Sequence, residues 1–256
     1  VPLPKRRTSN AEIDIEIRVI DVAVKEVPRQ YGRAVTAVSK SNPAYRGQAI
    51  YSRVFLPTYD AIVYGFNSPY LWRCPLSRLV AHYDQHLSGR HLDVGVASGR
   101  VLDEATFPTT SPQLTLMDLN PNSLRTASTR LARYRPRTHQ ANVLEDWGLP
   151  AGTYDSIALT HILHCLPGSI PDKRPAFENA RTGLAPGGTF FGATILGPSA
   201  DHNRLGRATI DLNNRLGVMS NEHDTATALD AELNRHFTSH LLEVVGTVAL
   251  FSARVD

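Results

Sequence analysis

The 256 residues suffice for one α/β domain with an appendage of several tens of residues, and for a core that needs no disulfide or metal staple. Hydrophobic residues at 42% and charged residues at 20% exclude a disordered or low-complexity chain, and no apolar run reaches the roughly 18 residues of a membrane span. The net charge of +3 is carried by scattered basic residues, apart from Lys5-Arg6-Arg7, so neither nucleic acid nor a membrane is an expected partner.

No apolar signal core opens the sequence, which leaves the cytoplasm as the default compartment. Cys74 and Cys165 stand in no CxxC or Cys/His spacing and read as reduced, buried thiols.

Residues 1–48 form an N-terminal extension. Ala11 to Val27 supports two readings: Ile13, Ile15, Ile17 and Val19 alternate with charges as in a strand, whereas Ile13, Ile17, Ile20, Val24 and Val27 line one helical face. The Ser9/Glu12 capping box, the Asp14/Arg18 and Asp21/Lys25 pairs and the stop at Pro28 favour helix. In either form the arm is suited to pairing across a two-fold axis, so a homodimer is the expected assembly. A domain at 49–256 follows, opened by a covering segment at 49–90. Its stretch from Tyr51 to Trp72 is rich in aromatics, among them Tyr59, Tyr64 and Trp72, which are suited to cover a site or to pack in the core. Leu71 to Leu87 reads as a helix that starts near Pro75.

From residue 91 short β-rich runs alternate with helical ones, the pattern of a doubly wound α/β fold with a parallel sheet. The expected strands are 91–96, 113–119, 138–143, 154–161 and 187–196. Pro121 to Tyr134 reads as a helix with Asn120 as its cap and Pro121 at its first position; Asp172 to Leu184 reads as another. HLLEVV and TVALFSARV, parted by little more than Gly246, predict an antiparallel hairpin after the parallel strands.

In such sheets the turn after the first strand is the usual seat of a nucleotide cofactor. That turn carries Gly95, Ala97 and Gly99, and Arg100 stands where a dinucleotide fingerprint needs glycine or alanine, which argues against a nicotinamide or flavin oxidoreductase. Asp118, 25 residues after Asp93, ends the second strand, where a carboxylate can accept from both hydroxyls of a ribose. TGLAPGG at 182–188 is a β-turn signal before the fifth strand.

This ordered set, spread over residues 49–256, resembles the class I S-adenosylmethionine-dependent methyltransferases. Through FNSPYLWRCP, HLDVGVASG, LHCLPG and GATILG it is more closely similar to the small-molecule methyltransferases of microbial secondary metabolism. The resemblance implies a Rossmann-like seven-stranded sheet in the order 3-2-1-4-5-7-6 with strand 7 antiparallel, and S-adenosylmethionine as cofactor. It implies Asp93, Gly95, Ala97, Gly99, Asp118, Leu119, Asn142 and Val143 on the cofactor side, where Thr160 and, from the covering segment, Tyr59 are also expected. Leu119 would pack on the adenine, and Asn142 stands where family members often have an acid for the adenine amino group. Ala97 departs from the usual middle glycine.

Methyl transfer needs its reactants in line and water excluded, with a general base where the acceptor must lose a proton. LTHILHCLPG places His161 and His164 at the carboxyl edge of the sheet, both facing a pocket only if the chain turns helical after Thr160. His164 is the preferred base or substrate contact and His161 the residue expected beside the cofactor; the alternative for both is a turn histidine bonded to backbone. The pair lacks a third ligand, so no metal is expected. Tyr64, Trp72, His202 and Asn203 are the substrate-side candidates. The expected function is methyl transfer to a small natural-product acceptor, O-methylation with a histidine base. The alternatives are a cyclase or isomerase that binds the same cofactor without transferring its methyl group, and a non-catalytic assembly protein built on the 1–48 arm.

Overall fold

Apolar residues at alternate positions sort onto the two faces of a central sheet and give each face its own core. The computed structural model describes residues 60–256; the 1–48 arm with Ala11 to Val27, and Tyr59, lie outside the described residues. The strands are β1 (Arg90–Val94), β2 (Gln113–Asp118), β3 (Arg137–Gln140), β4 (Tyr154–Thr160), β5 (Leu184–Ile195), β6 (Ser239–Val245) and β7 (Val248–Arg254). They form one sheet in the order β3-β2-β1-β4-β5-β7-β6. The pairs from β3 to β5 are parallel, whereas β7 runs antiparallel to both β5 and β6. The sheet order is the one the resemblance implies, and the hairpin is the one the sequence predicts.

Leu92, Val94, Ile157, Leu159 and Phe190 face a core shared with Phe177, Leu229, Leu233 and Phe251. Ala158 and Phe191 face the opposite core, with Leu79, Tyr83, Leu102 and Leu131. The helices that supply these layers are α1 (Leu76–His86), α2 (Arg100–Glu104), α3 (Pro121–Arg130), α4 (Arg174–Gly183), α5 (Arg204–Arg215) and α6 (Ala226–His236). Ahead of α1 the chain from Asp60 is helical, and Val63–Leu71 is wound as a π-helix around Pro69.

Several boundaries differ from the expectation. The helix read over 71–87 does start near Pro75, at Leu76 with Pro75 as its extended cap, but Leu71 belongs to the π-helix ahead of it. The third strand ends at Gln140, since Asn142 closes a turn onto Leu144. The fourth helix starts at Arg174, preceded by a 3-10 turn over Ile170–Lys173. The fifth strand starts at Leu184, so the APGG turn is carried within it. The run Gly197 to Arg207 reads from sequence as a loop after the fifth strand, but its residues 204–207 open α5.

Two long-range ties fix the elements around the carboxyl edge of the sheet. Lys173 and Asp224, both wholly buried, form an ion pair of 2.6 Å, and Lys173 also donates to the Ser220 carbonyl at 3.0 Å. Burial pushes the lysine down and the aspartic acid up, each toward its neutral form, while their mutual attraction opposes this. At the hairpin turn, Thr247 N–H donates to the Trp72 carbonyl at 2.9 Å, and a Cβ on Gly246 would lie 2.3 Å from that oxygen. The turn therefore docks on the covering segment.

Candidate active site

The site is built at the carboxyl ends of β1, β2 and β4. After Val94 the chain turns sharply: Gly95 has φ +71°, Ala97 φ +48° and Gly99 φ +72°, and Gly99 stands at the cap of α2. Gly95 N–H donates to the Met117 carbonyl at 2.7 Å, and a Cβ at Gly95 would lie 2.4 Å from Ile162 Cδ1, so a side chain here would have to displace Ile162 and bear the strain of a left-handed backbone. Ala97 holds the same left-handed backbone with a methyl group, at a cost of about 1–2 kcal/mol.

Asp118 closes the turn from the other side. Its Oδ2 accepts from Ala97 N–H at 3.2 Å and its Oδ1 from Asn120 N–H at 2.8 Å. Burial raises its carboxyl to about 6, against those two N–H groups, which lower it. Leu119 beside it is half-buried, and its carbonyl accepts from Gln140 Nε2 at 3.0 Å. On β1, Asp93 accepts from the Tyr83 hydroxyl at 3.1 Å, with His91 Nε2 3.7 Å away.

A cleft opens over this turn, lined among the described residues by Asp93, Gly95, Ala97 and Gly99 from below and by Tyr64, Tyr83, Thr160 and His161 around it. His161 is the first residue beyond β4 and has φ +58°. Its N–H still pairs with the Ala193 carbonyl at 2.7 Å, so the strand is held while the positive φ turns the side chain over the cleft. Its Nε2 is buried without a hydrogen-bond partner, and burial lowers the ring to about 4. A 3-10 turn follows at Leu163–Cys165, the helical bend the sequence required for two facing histidines.

The two rings meet edge to face at 5.6 Å, but only His161 lines the cleft. His164 is buried behind it, where Nδ1 accepts from Ile195 N–H at 3.3 Å and lies 3.4 Å from Thr194 Oγ1. Burial, then the neighbouring His161 and Lys173, hold it far below the ordinary histidine range. This is the backbone-bonded turn histidine of the alternative reading.

The other expected positions divide similarly. Thr160 and Tyr64 line the cleft. Asn142 spends its Oδ1 on Leu144 N–H (3.1 Å) and its Nδ2 on Glu145 Oε1 (2.9 Å), and Val143 is buried in the core. Trp72, expected as a pocket wall, is instead a core residue packed edge-on to His202. His202 Nε2 donates to the Leu196 and Gly197 carbonyls (3.2 and 3.0 Å). Asn203 caps α5 through Gly206 N–H (2.7 Å) and donates to the Tyr70 carbonyl (2.8 Å). Trp72, His202 and Asn203 thus brace the edge and do not line the described cleft. Sequence reasoning missed Tyr83, whose apolar register on α1 gave no sign of its hydroxyl's partner, and Ile162, which faces Gly95.

The strand order, the glycine turn after β1 and the acid ending β2 together define the class I methyltransferase architecture. Comparison with known proteins agrees. A family model described as a methyltransferase domain matches residues 92–190. The chain is 39% identical to demethylluteothin O-methyltransferase of Streptomyces thioluteus over 207 residues, 81% of this chain and 90% of that protein. It is 34% identical to the physcion biosynthesis cluster O-methyltransferase of Aspergillus chevalieri, over 84% of this chain and 97% of that protein. Among solved structures, an O-methyltransferase family protein from Burkholderia thailandensis shares the fold with a TM-score of 0.59 at 14% identity, over 85% of this chain and 64% of that one, less than two thirds of its length. The chain belongs to the S-adenosylmethionine-dependent methyltransferase family. No helix among the described residues is long and apolar enough to cross a membrane.

Proposed function

We propose that the protein transfers the methyl group of S-adenosylmethionine to a hydroxyl oxygen of a small natural-product acceptor, with His161 as the general base. The observation that carries this reading is the convergence, on one cleft, of the Ala97/Asp118 contact and the unpartnered Nε2 of a neutral histidine. The two curated relatives described above, both named O-methyltransferases, support oxygen as the acceptor atom.

The residues fit an amino-acid-bearing nucleoside. The Asp118 carboxylate offers about four lone-pair sites against the backbone N–H groups of Ala97, Asn120 and Leu119, which leaves room to accept from a ribose hydroxyl, and such a bond would stabilise a carboxylate that burial now disfavours. The positive-φ backbone from Gly95 to Gly99 keeps side chains clear of the turn floor, with Asp93 close by for a cationic amino group. When bound, S-adenosylmethionine supplies an electrophilic methyl group on a sulfonium sulfur. Tyr64 and Tyr83 wall the cleft, and such walls exclude water and hold the acceptor oxygen in line. His161 is neutral at pH 7 because burial lowers it to about 4, so its Nε2 lone pair can take the hydroxyl proton as the oxygen–methyl bond forms. The sequence prefers His164 for this task, but the hydrogen bond from Ile195 N–H already engages its Nδ1 behind the cleft.

Incubation with methyl-labelled cofactor and a panel of phenolic and enolic acceptors tests the activity: label should move to acceptor oxygen. Label retained on sulfur while the acceptor is converted would favour the cyclase or isomerase reading. His161→Ala should lower kcat by about 10²–10⁴-fold. With the methyl donor saturating, the wild-type kcat should stay level as pH falls from 7 to about 5 and drop toward the histidine's value near 4. A limb near 6.5 in that saturated kcat that survives in His161→Ala removes this residue as the base.

A further inference from the structure

Behind the glycine turn lies a cluster of polar side chains that the proposed reaction does not use. Ser98 Oγ donates to Asp60 Oδ1 at 2.6 Å, Arg130 Nη2 donates to Asp60 Oδ2 at 2.6 Å, and Arg130 Nη1 donates to Ser98 Oγ at 3.2 Å. The three bonds form a closed ring in which each group satisfies the other two. The Asp60 and Arg130 side chains are only 15% and 25% exposed, and Ser98 is 1% exposed, so the ring is not a solvated surface pair.

Its members come from three elements. Asp60 belongs to the covering segment that brings Tyr64 to the cleft, Ser98 to the glycine turn, and Arg130 is the last residue of α3, the helix that follows Asp118. Ser98 stands between the two positive-φ residues Ala97 and Gly99. A methyl-bearing residue stays in that conformation only where its surroundings over-determine it, and Ala97 N–H is the group that meets Asp118.

We propose that Asp60 and Arg130 are positioning residues: through Ser98 they hold the glycine turn in its cofactor-receiving conformation and tie the covering segment to it. This rests on the reading that the cofactor occupies this cleft. Neither charged residue lines the cleft, and both bond Ser98, so the proposed route runs through the serine hydroxyl and Ser98→Ala is the decisive variant. It removes one oxygen, breaks two of the three bonds and leaves the ion pair in place.

The test is calorimetric titration of the full chain with S-adenosylhomocysteine, with amide hydrogen exchange of the free protein as a readout that needs no cofactor. Asp60→Asn, Arg130→Gln and Ser98→Ala should each raise Kd about tenfold and speed exchange at residues 95–99 by a similar factor. In turnover the loss should fall on KM for the methyl donor more than on kcat. Wild-type binding by Ser98→Ala together with unchanged exchange at 95–99 overturns the proposal, even if the charge variants bind poorly. If wild type itself binds no S-adenosylhomocysteine, the assignment of the cleft fails first; unaltered exchange in Ser98→Ala would then refute the positioning role separately.

Discussion

Asp118, bonded to the turn that floors the cleft, carries the most direct pH signature of the site. Its carboxyl is raised to about 6, chiefly by burial, so in the free protein it begins to take up a proton just below neutrality. Ribose hydroxyls would donate to the ionised form, so binding must expel that proton. The affinity for S-adenosylhomocysteine should therefore be constant above about pH 7 and weaken as pH falls through 6, toward roughly tenfold weaker per pH unit well below it. Asp118→Asn should bind more weakly at pH 7 and lose the dependence between pH 7 and 5; a pH-independent wild type in calorimetry contradicts the role. Gly95, Ala97, Gly99 and Asp118 were legible in the sequence because a tight turn and the acid after the next strand are set by local spacing. The placement of His161 rather than His164 at the cleft was not. It follows from φ +58° at His161, a backbone choice that nothing in LTHILHC announces and that the Ala193 pairing enforces from another strand.

At the level of elements, the cap of α5 joins two parts of the molecule. Asn203 accepts from Gly206 N–H and donates to the Tyr70 carbonyl, and a Cβ at Gly206 would sit 2.9 Å from the Leu71 carbonyl, so α5 lies directly against the π-helical segment. Asn203→Ala should cost about 1 kcal/mol for the lost cap, and more if the Tyr70 carbonyl is left without a donor. Thermal unfolding gives the first quantity, and faster amide exchange around residues 70–72 would report the second. A variant as stable as wild type with unaltered exchange there would show that α5 does not brace the segment. The helices α5 and α6 escaped the sequence reading for a physical reason. In α5 the apolar Leu205 and Leu212 stay exposed while Gly206 and Ile210 are buried, and α6 buries the charged Glu232 between Leu229 and Leu233, so the apolar letters do not mark the packed faces. The strands, whose alternating residues feed two cores, stood out clearly.

For the molecule as a whole, the buried Lys173–Asp224 pair joins the chain before α4 to the connection between α5 and α6, beneath His164, whose carbonyl accepts from Ser220 N–H. Lys173→Met leaves Asp224 as an unpaired buried acid, which should cost roughly 3–5 kcal/mol and lower Tm by about 10 °C. Lys173→Met with Asp224→Leu removes both charges and should recover at least half of that loss. A single variant that melts with wild type would mean that the pair contributes nothing. No sequence pattern marks two residues 51 positions apart as partners, which is why the fold class was legible while its internal ties were not.

The order β5-β7-β6 places the later strand of the hairpin next to the parallel half of the sheet. During synthesis the backbone edge of β5 stays open until residues 248–254 have emerged, and β6 has nothing to join before then. An exposed edge of this kind invites pairing with other nascent chains. Premature termination after Gly246 should consequently yield inclusion bodies in place of a soluble fragment.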